Sequence, residues 1–205
     1  MTNVLRSLAA YLDRGSYELQ RLRAIAVYLR TGVRFEVVGR NSKIFGSSQM
    51  KIGTGIRLGD YCWIQAVTRY DGARYSPRLV IGDRVALSDL THITCVKHIE
   101  IGRDCLLGSK IYIGDHHHGS LSELEQIRHV PPARRPLGDV EEILIGEMTW
   151  IGDGAVILPG TKIARCSVVG ANSVVRLKED RPALIAGVPA RVIRYLDEAV
   201  GNGSR

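Results

Sequence analysis

The sequence predicts an all-β solenoid, a fold in which short strands stack along one axis. Between residues 143 and 175 an aliphatic residue occurs every six positions without a gap: Ile145, Ile151, Ile157, Ile163, Val169 and Val175. This period matches neither an α-helix nor a simple hairpin, and it fits coils that place one strand per hexad on each face of a prism. Glycine accounts for 22 of the 205 residues and aromatic residues for only 6%, so we expect tight turns around an aliphatic core.

The same period is present upstream, and three hexads should make one coil. With that coil length the aliphatic residues form three stacks that continue from coil to coil. The expected stacks are Ile81, Ile101, Ile145 and Ile163; Leu87, Leu107, Ile151 and Val169; and Ile93, Ile113, Ile157 and Val175. A slip of two residues between Ile99 and Ile101 is interpreted as a bulge. Small residues at the second and fifth places of the hexads should let the chain turn tightly and stack.

The two ends of the chain depart from this period and divide it into three parts. Residues 1–33 are predicted to form a helical segment, because apolar residues recur there at three- and four-residue spacing, with a break at Gly15-Ser16. Residues 34–180 form the predicted solenoid. Residues 181–205 form a C-terminal cap and tail that includes a short helix over 192–200.

Two segments interrupt the solenoid itself. Residues 69–79 form a short loop, and residues 115–142 form an excursion that begins with the sequence DHHHGS. Long irregular loops in compact domains are usually functional or disordered. We therefore expect the functional site to lie where this excursion leaves the coils.

The composition excludes several classes of protein. A net charge of +7 favours anionic ligands, but no nucleic-acid-binding motif accompanies it, so no nucleic acid is expected. The cysteines, at positions 62, 95, 105 and 166, form no CxxC pair, which argues against a zinc ribbon or a disulfide framework and favours reduced thiols in the core. No signal peptide or membrane span is recognised, so we expect a cytoplasmic protein. The basic segment 1–33 is expected either to pack on the body of the protein or on a neighbouring subunit, or to contact the inner face of an anionic membrane.

These features together resemble the hexapeptide-repeat acyltransferases, whose fold is a left-handed parallel β-helix, and especially the sugar O-acetyltransferases of bacterial surface-polysaccharide assembly. The resemblance covers residues 40–195 and depends on the hexads, on the sequence IGDHHHGS at 113–120, and on AGVPARVIR at 186–194. It implies a homotrimer that uses acetyl-CoA, without a metal, to acetylate a nucleotide-linked or lipid-linked sugar in lipopolysaccharide or capsule synthesis.

The resemblance also implies that a histidine at the start of the excursion is the general base. His116 matches that position, and a neutral imidazole accepts protons well near pH 7. His118 is the second candidate for the base, and the stacking register places it near His98, which we assign to acceptor binding. Asp115 is either the residue that orients the imidazole or an ordinary turn residue. Strand-like alternation is expected to turn His117 away from its neighbours.

Further residues are assigned to the two substrates by the same resemblance. The pantetheine arm of coenzyme A should lie against Trp150, Gly152 and Ala171, although Trp150 has an alternative role in packing on a neighbouring subunit. The phosphates of the cofactor should meet the basic residues near the end of the solenoid, which are Arg176, Lys178, Arg191 and Arg194. In the excursion, Arg134 and Arg135 are expected to bind the phosphate of the sugar acceptor, unless they only form a solvated loop tip.

Three alternative functions stay open at this point. The first is N-acetylation of an amino-sugar nucleotide by the same base. The second is a zinc enzyme of carbonic-anhydrase type, in which His98, His118 and a histidine of a neighbouring subunit converge on the metal. The third is a non-catalytic scaffold that keeps the solenoid.

Overall fold

The computed structural model describes the backbone of residues 2–197, and side chains from residue 16 onward except those of 121, 124 and 126. It begins with one long helix, α1, at Thr2–Thr31, and continues into short strands that form three largely parallel sheets. The chain visits the first, second and third sheets in rotation, and each round forms one coil. None of the helices among the described residues is long and apolar enough to cross a membrane.

Each sheet takes one strand from every coil. The strands of the first sheet are Val37–Val38, Arg57–Leu58, Ala86–Leu87, Leu106–Leu107, Trp150–Ile151, Val168–Val169, Ala183–Gly187 and Ala190–Tyr195. Those of the second sheet are Lys43–Phe45, Trp63–Ala66, His92–Cys95, Tyr112–Gly114, Val156–Ile157 and Val174–Val175. Those of the third sheet are Met50–Ile52, Arg78–Ile81, His98–Ile101, Ile143–Ile145 and Lys162–Ile163.

The excursions from the coils carry the remaining short elements. Two antiparallel hairpins pair Arg69–Tyr70 with Ala73–Arg74 and His117–His118 with Leu137–Gly138. A 3-10 turn at Ser47–Gln49 precedes the first strand of the third sheet. The long excursion also contains 3-10 turns at Leu121–Glu123 and Pro132–Arg134 and one helical turn at Leu124–Ile127.

The predicted aliphatic stacks are confirmed residue by residue. On the third sheet, Ile101 pairs with Ile81 on one side and with Ile145 on the other. The first and second sheets continue the other two stacks in the same way. All twelve members are at most 2% exposed, so the axis of the coils is the core of the molecule.

The interpretation of a bulge at the two-residue slip is wrong. The strand His98–Ile101 pairs without interruption with the strands on both sides, and Ile99 and Ile101 are both buried. The slip arises because this strand places two alternate residues inward, as any extended strand does.

The corners between strands follow a repeating conformation. The fourth residue of each downstream hexad has a positive φ, and these residues are Met148, Gly154, Gly160, Cys166 and Asn172. The small residue at the second place allows close stacking of coils, since a Cβ atom on Gly152 would lie 2.7 Å from the backbone nitrogen of Ala171. The fifth place is buried, and there Thr149 donates a hydrogen bond to the carbonyl of Gly146 at 2.8 Å.

The cysteines occupy two different environments. Cys62 and Cys105 fill fifth places beneath the corners, where burial raises the pKa of each thiol to about 11. Cys95 is also buried, at the end of a strand of the second sheet. Cys166 is exposed at a corner, so the prediction of core thiols is wrong for this residue.

Two predictions about helices at the chain ends are also wrong. Helix α1 runs through Gly15 and Ser16 without the predicted break, because one glycine costs a helix only about 1 kcal/mol. The predicted helix over 192–200 is a strand in its described part, where Ala190–Tyr195 pairs with Ala183–Gly187. This hairpin pairs with the open edge of the last coil, which a helix would leave unsatisfied, and residues 198–205 lie outside the described part of the chain.

Replacing Ile157 with alanine should lower the free energy of unfolding by about 2–5 kcal/mol, because the side chain is fully buried in the middle of a stack. Urea denaturation measures the change. Val156→Ala, one position away on the outer side of the same strand, is the matched control and should cost less than half as much. Equal losses for the two variants would contradict an axial core.

Candidate active site

A cleft of about 470 Å³ lies at the corner where the chain passes from the second sheet to the third. Both excursions leave the coils at this corner, the 69–74 hairpin from one coil and the 115–142 excursion from the coil two rounds later. The coil between them makes the same corner directly, through Val96 and Lys97. The cleft is lined by histidines from two coils, which are His92, His116, His117 and His118.

Asp115 occupies a place that repeats along the solenoid. Four other aspartates also lie two residues after an inward aliphatic residue and accept a backbone N–H hydrogen bond from the preceding coil: Asp60, Asp83, Asp89 and Asp153. Asp115 follows Ile113 in the same way, so the repeat itself explains why an aspartate lies at this corner.

Asp115 receives more hydrogen bonds than its counterparts. Its two carboxylate oxygens accept the backbone N–H groups of Val96, Lys97 and His98 at 2.9, 2.8 and 3.0 Å, and the side chain is fully buried. Burial alone would raise the pKa of Asp115, but the hydrogen bonds from His116 and from these amides outweigh it and hold the pKa below its ordinary value. Asp115 is therefore ionised at neutral pH.

His116 is oriented by this carboxylate. Its Nδ1 lies 2.9 Å from Oδ1 of Asp115, and the side chain is buried at the wall of the cleft. Because an ionised carboxylate only accepts hydrogen bonds, Nδ1 carries the proton, and Nε2 of the neutral imidazole keeps its lone pair. The contact with His116 fits the orienting role considered for Asp115, and its repeated place along the solenoid fits the turn role.

His118 is held differently, at the exposed side of the cleft. Its Nδ1 lies 3.0 Å from the hydroxyl of Tyr70, which donates its proton to the carbonyl of Ala133 at 2.7 Å. Since that proton is used, His118 must donate from Nδ1, which leaves Nε2 as an acceptor. Partial burial and the neighbouring imidazoles of His116 and His117 lower the pKa of His118.

The other two predicted histidines behave differently from expectation. His117 also lines the cleft, although alternation along the strand was expected to turn it away. The side chain of His98 does not reach the cleft and lies against Glu142 at 3.4 Å and Glu100 at 3.5 Å. The expected approach of His98 to His118 is thus not found, because the outer row of the third sheet faces away from this corner.

A row of aromatic side chains beside His116 was not predicted from the sequence. Trp63, His92 and Tyr112 pair in register on the second sheet, each one residue before an inward isoleucine. The rings of Trp63 and His92 stack at 4.8 Å and 15°, and Tyr112 meets His92 edge-on at 5.4 Å. Burial, with a smaller contribution from His116, lowers the pKa of His92. The signal that could have revealed this row is the position directly before each inward aliphatic residue, because its side chain points outward and an aromatic ring occupies it in three successive coils.

The predicted pantetheine residues lie on the first sheet and its corners. Trp150 is half exposed and points outward between Leu106 and Val168, with which it pairs. Gly152 and Ala171 approach each other closely where successive coils stack. Trp150 and Ala171 are exposed, whereas Gly152 is buried between coils, and none of the three lines the histidine cleft.

The predicted phosphate-binding residues are dispersed and mostly exposed. Arg176 forms an ion pair with Glu141 at 3.1 Å, whereas Lys178 lies in a bridge opposite Lys162. Arg191 and Arg194 both project from the last strand of the first sheet. In the excursion, Arg134 is exposed at the tip, and Arg135 donates a hydrogen bond to the carbonyl of Val130 at 2.9 Å, which holds the loop together.

No group of three or more His, Cys, Asp or Glu side chains is arranged to hold a metal ion within the described side chains. The three consecutive histidines have different partners, and His98 belongs to a different surface. The zinc alternative therefore has no ligand set within one described chain.

Comparison with known proteins confirms the resemblance to the hexapeptide-repeat acyltransferases. Residues 142–176 match the family model described as bacterial transferase hexapeptide (six repeats). Over 57% of its length the chain is 40% identical to the putative lipopolysaccharide biosynthesis O-acetyl transferase WbbJ of Escherichia coli K12. Over 72% of its length it is 31% identical to the probable acetyltransferase Rv3034c of Mycobacterium tuberculosis. These alignments span 60% and 44% of the two relatives, less than two thirds of either.

A solved structure shares the fold. The chain matches a variant of AntD, an N-acyltransferase from Bacillus cereus in complex with dTDP and coenzyme A, with a TM-score of 0.57 and 20% sequence identity. The match covers 77% of this chain and 82% of that one, so it includes most of the coils.

Proposed function

We propose that this chain, which carries hexapeptide repeats and resembles the acyltransferases built from them, transfers acetyl from acetyl-CoA to a sugar hydroxyl in bacterial surface-polysaccharide synthesis. The observation that carries the proposal is the contact between Nδ1 of His116 and the buried carboxylate of Asp115, 2.9 Å apart at the wall of a cleft. The name of the Escherichia coli relative supports the sugar and the O-acetyl transfer. We further infer a left-handed coil, a homotrimer, and the division into residues 1–33, 34–180 and 181–205.

The reaction needs one base and no acyl-enzyme. Nε2 of His116 removes the proton of the acceptor hydroxyl as its oxygen attacks the thioester carbonyl of acetyl-CoA. The tetrahedral intermediate then collapses, the carbon–sulfur bond breaks, and the imidazolium returns its proton to the departing thiolate. Asp115 stabilises the imidazolium that forms during the reaction, because its carboxylate is ionised and only 2.9 Å from Nδ1.

The acceptor is proposed to occupy the cleft beside His116. Trp63 lines the cleft and is 41% exposed, with His92 stacked on one ring face and Lys43 over the other, so its exposed edge is proposed to pack against the sugar ring. His118 offers Nε2 as an acceptor for a second hydroxyl of the sugar. Arg134 and Arg135 remain our candidates for a phosphate of a nucleotide-linked or lipid-linked sugar, because both belong to the excursion that borders the cleft.

Acetyl-CoA is proposed to bind along the first sheet, against Trp150, Gly152 and Ala171, with its phosphates near the C-terminal arginines. Trp150 is half exposed there and offers an apolar ring to an extended pantetheine arm. The phosphate candidates are Arg176, Lys178, Arg191 and Arg194. In the single chain this surface and the histidine cleft are separate, which supports a trimer in which one copy supplies the acetyl donor to the cleft of the next.

The direct test is release of free coenzyme A from acetyl-CoA with a panel of nucleotide sugars, with and without a chelator. We expect release to depend on a neutral sugar nucleotide and to survive chelation. Release only with an amino-sugar nucleotide would favour N-acetylation instead, and loss of activity with the chelator would favour the zinc enzyme. Binding of acetyl-CoA without turnover on any sugar would favour the non-catalytic scaffold.

The two tryptophans should separate the two substrate sites. Trp63→Ala is expected to raise the KM for the sugar about tenfold and to leave the KM for acetyl-CoA unchanged, because it removes an apolar contact surface in the acceptor cleft. Trp150→Ala should do the reverse. Steady-state kinetics with each substrate varied in turn measures both constants, and the same effect on one KM from both variants would contradict the assignment.

A further inference from the structure

Helix α1 leaves an apolar face without a partner among the described residues. Ala24 and Val27 are buried against the first coil, and the opposite side carries Leu19, Leu22 and Leu29, of which Leu22 is 59% and Leu29 79% exposed. Large aliphatic side chains rarely line up in water on a helix that has no partner. This face therefore needs an occupant.

The spacing along this face is that of a coiled coil. If Leu5 is taken as the first a position, α1 contains four heptads, and its a and d positions alternate at three- and four-residue spacing. These positions are Leu5, Leu8, Leu12, Gly15, Leu19, Leu22, Ala26 and Leu29. Only Gly15 interrupts the apolar set. We call this set the α1 seam. Ala24 lies at an f position, directly opposite the seam, so the body of the protein leaves the described seam residues, from Leu19 to Leu29, accessible.

The charges beside the seam fit a second copy of the same helix. Glu18 falls at a g position and Arg23 at the following e position, and in a parallel, in-register coiled coil these two residues face each other across the interface. Among the described side chains, Glu18 forms an ion pair with Arg21, at 3.6 Å on the exposed surface. Arginine and leucine also occur in membrane-surface helices, but an anionic membrane would not use the complementarity of Glu18 and Arg23, so the pattern fits a second copy of the helix better than lipid.

We propose that α1 associates with α1 of a second copy of this chain through the α1 seam, as a parallel coiled coil. The interface is independent of the catalytic proposal, since it lies on the face of α1 turned away from the coils. Glu18 of one copy pairs with Arg23 of the next, and Leu19, Leu22 and Leu29 of both copies are buried between the helices.

Cysteine cross-linking of the full chain tests contact at the seam. In a Cys166→Ser background, Leu22→Cys places a thiol at a d position, and Arg21→Cys places one on the neighbouring helix face with similar exposure, since Arg21 is 57% and Leu22 59% exposed. We expect mild oxidation to link Leu22→Cys chains rapidly and Arg21→Cys chains slowly. Equal rates for the two variants would overturn the proposal.

Association itself is tested by sedimentation of the full chain. Leu22→Ser with Leu29→Ser should weaken association through the seam on the order of a hundredfold, whereas Ile193→Ser, a change of an equally exposed aliphatic residue elsewhere, should not. Glu18→Arg and Arg23→Glu should each weaken association, and the two changes together should restore it. The coiled coil would be overturned if the variant with Leu22→Ser and Leu29→Ser sedimented like the wild type, or if the combined charge exchange did not restore association. It would also be overturned if the leucine changes abolished binding to phosphatidylglycerol vesicles but left sedimentation unchanged.

Discussion

Replacing His116 with alanine is expected to lower kcat by about 10²–10⁴-fold, the usual contribution of a general base, while acetyl-CoA still binds. The expectation depends on the position of the ring at the cleft wall and on its contact with Asp115 at 2.9 Å. Since the side chain belongs to a surface separate from the proposed donor site, the affinity for acetyl-CoA should change little. Coenzyme A release gives kcat, and calorimetry with a non-reactive coenzyme A analogue gives the affinity.

The controls for this variant come from the neighbouring histidines. His129→Ala changes an exposed histidine of the same excursion that does not line the cleft, and it should leave kcat unchanged. His118→Ala should mainly raise the KM for the sugar, because its Nε2 is proposed to accept a hydrogen bond from the acceptor. Full activity of His116→Ala together with an inactive His118→Ala variant would transfer the role of base to His118.

The solenoid was predictable because its signal repeats. An inward residue such as Ile151 has the same environment as Leu107 one coil earlier and Val169 one coil later, so a single local rule is sampled many times. The outer hairpin at the C-terminus was missed because it occurs once. Its residues satisfy the open edge of the last coil, which no local pattern along the chain encodes.

The candidate site was predictable only in part, for a related reason. His116 and Asp115 were found because both lie in a motif that follows the repeat, after Ile113. Trp63 and Tyr70 come from a coil about 50 residues earlier, and they reach the same cleft only because both excursions leave at the same corner. Whether the two excursions leave at the same corner depends on the number of residues in each coil. The sequence of the short loop at 69–79 does not indicate that its residues line the cleft.

Replacing Asp115 with asparagine is expected to lower kcat on the order of 10²-fold, less than loss of the imidazole itself. The carboxylate accepts hydrogen bonds from His116 and from the three amides of residues 96–98. The asparagine amide has one acceptor oxygen, and its NH₂ group would face donors, so at least one buried N–H is left without a partner. The same variant should lose about 1–3 kcal/mol of folding free energy. Asp89→Asn is the matched control, because Asp89 occupies the equivalent place and accepts the N–H of Asp60 but contacts no histidine, so kcat should be unchanged.

The pH dependence of stability separates the electrostatic role of Asp115 from simple packing. The pKa of Asp115 is lower in the folded protein than in the unfolded chain, where an aspartate titrates near about 3.9. The unfolded state therefore binds a proton first as the pH falls, so the contribution of Asp115 is fully present above about pH 5 and is lost as the pH falls through the folded pKa. Urea denaturation of wild type and Asp115→Asn at pH 7, 5, 4 and 3 should show a gap in unfolding free energy that is smaller at pH 3 than at pH 5. A gap of equal size at every pH would mean that Asp115 contributes to stability through packing alone. In that case the proposal that its ionised carboxylate stabilises the imidazolium of His116 would be contradicted.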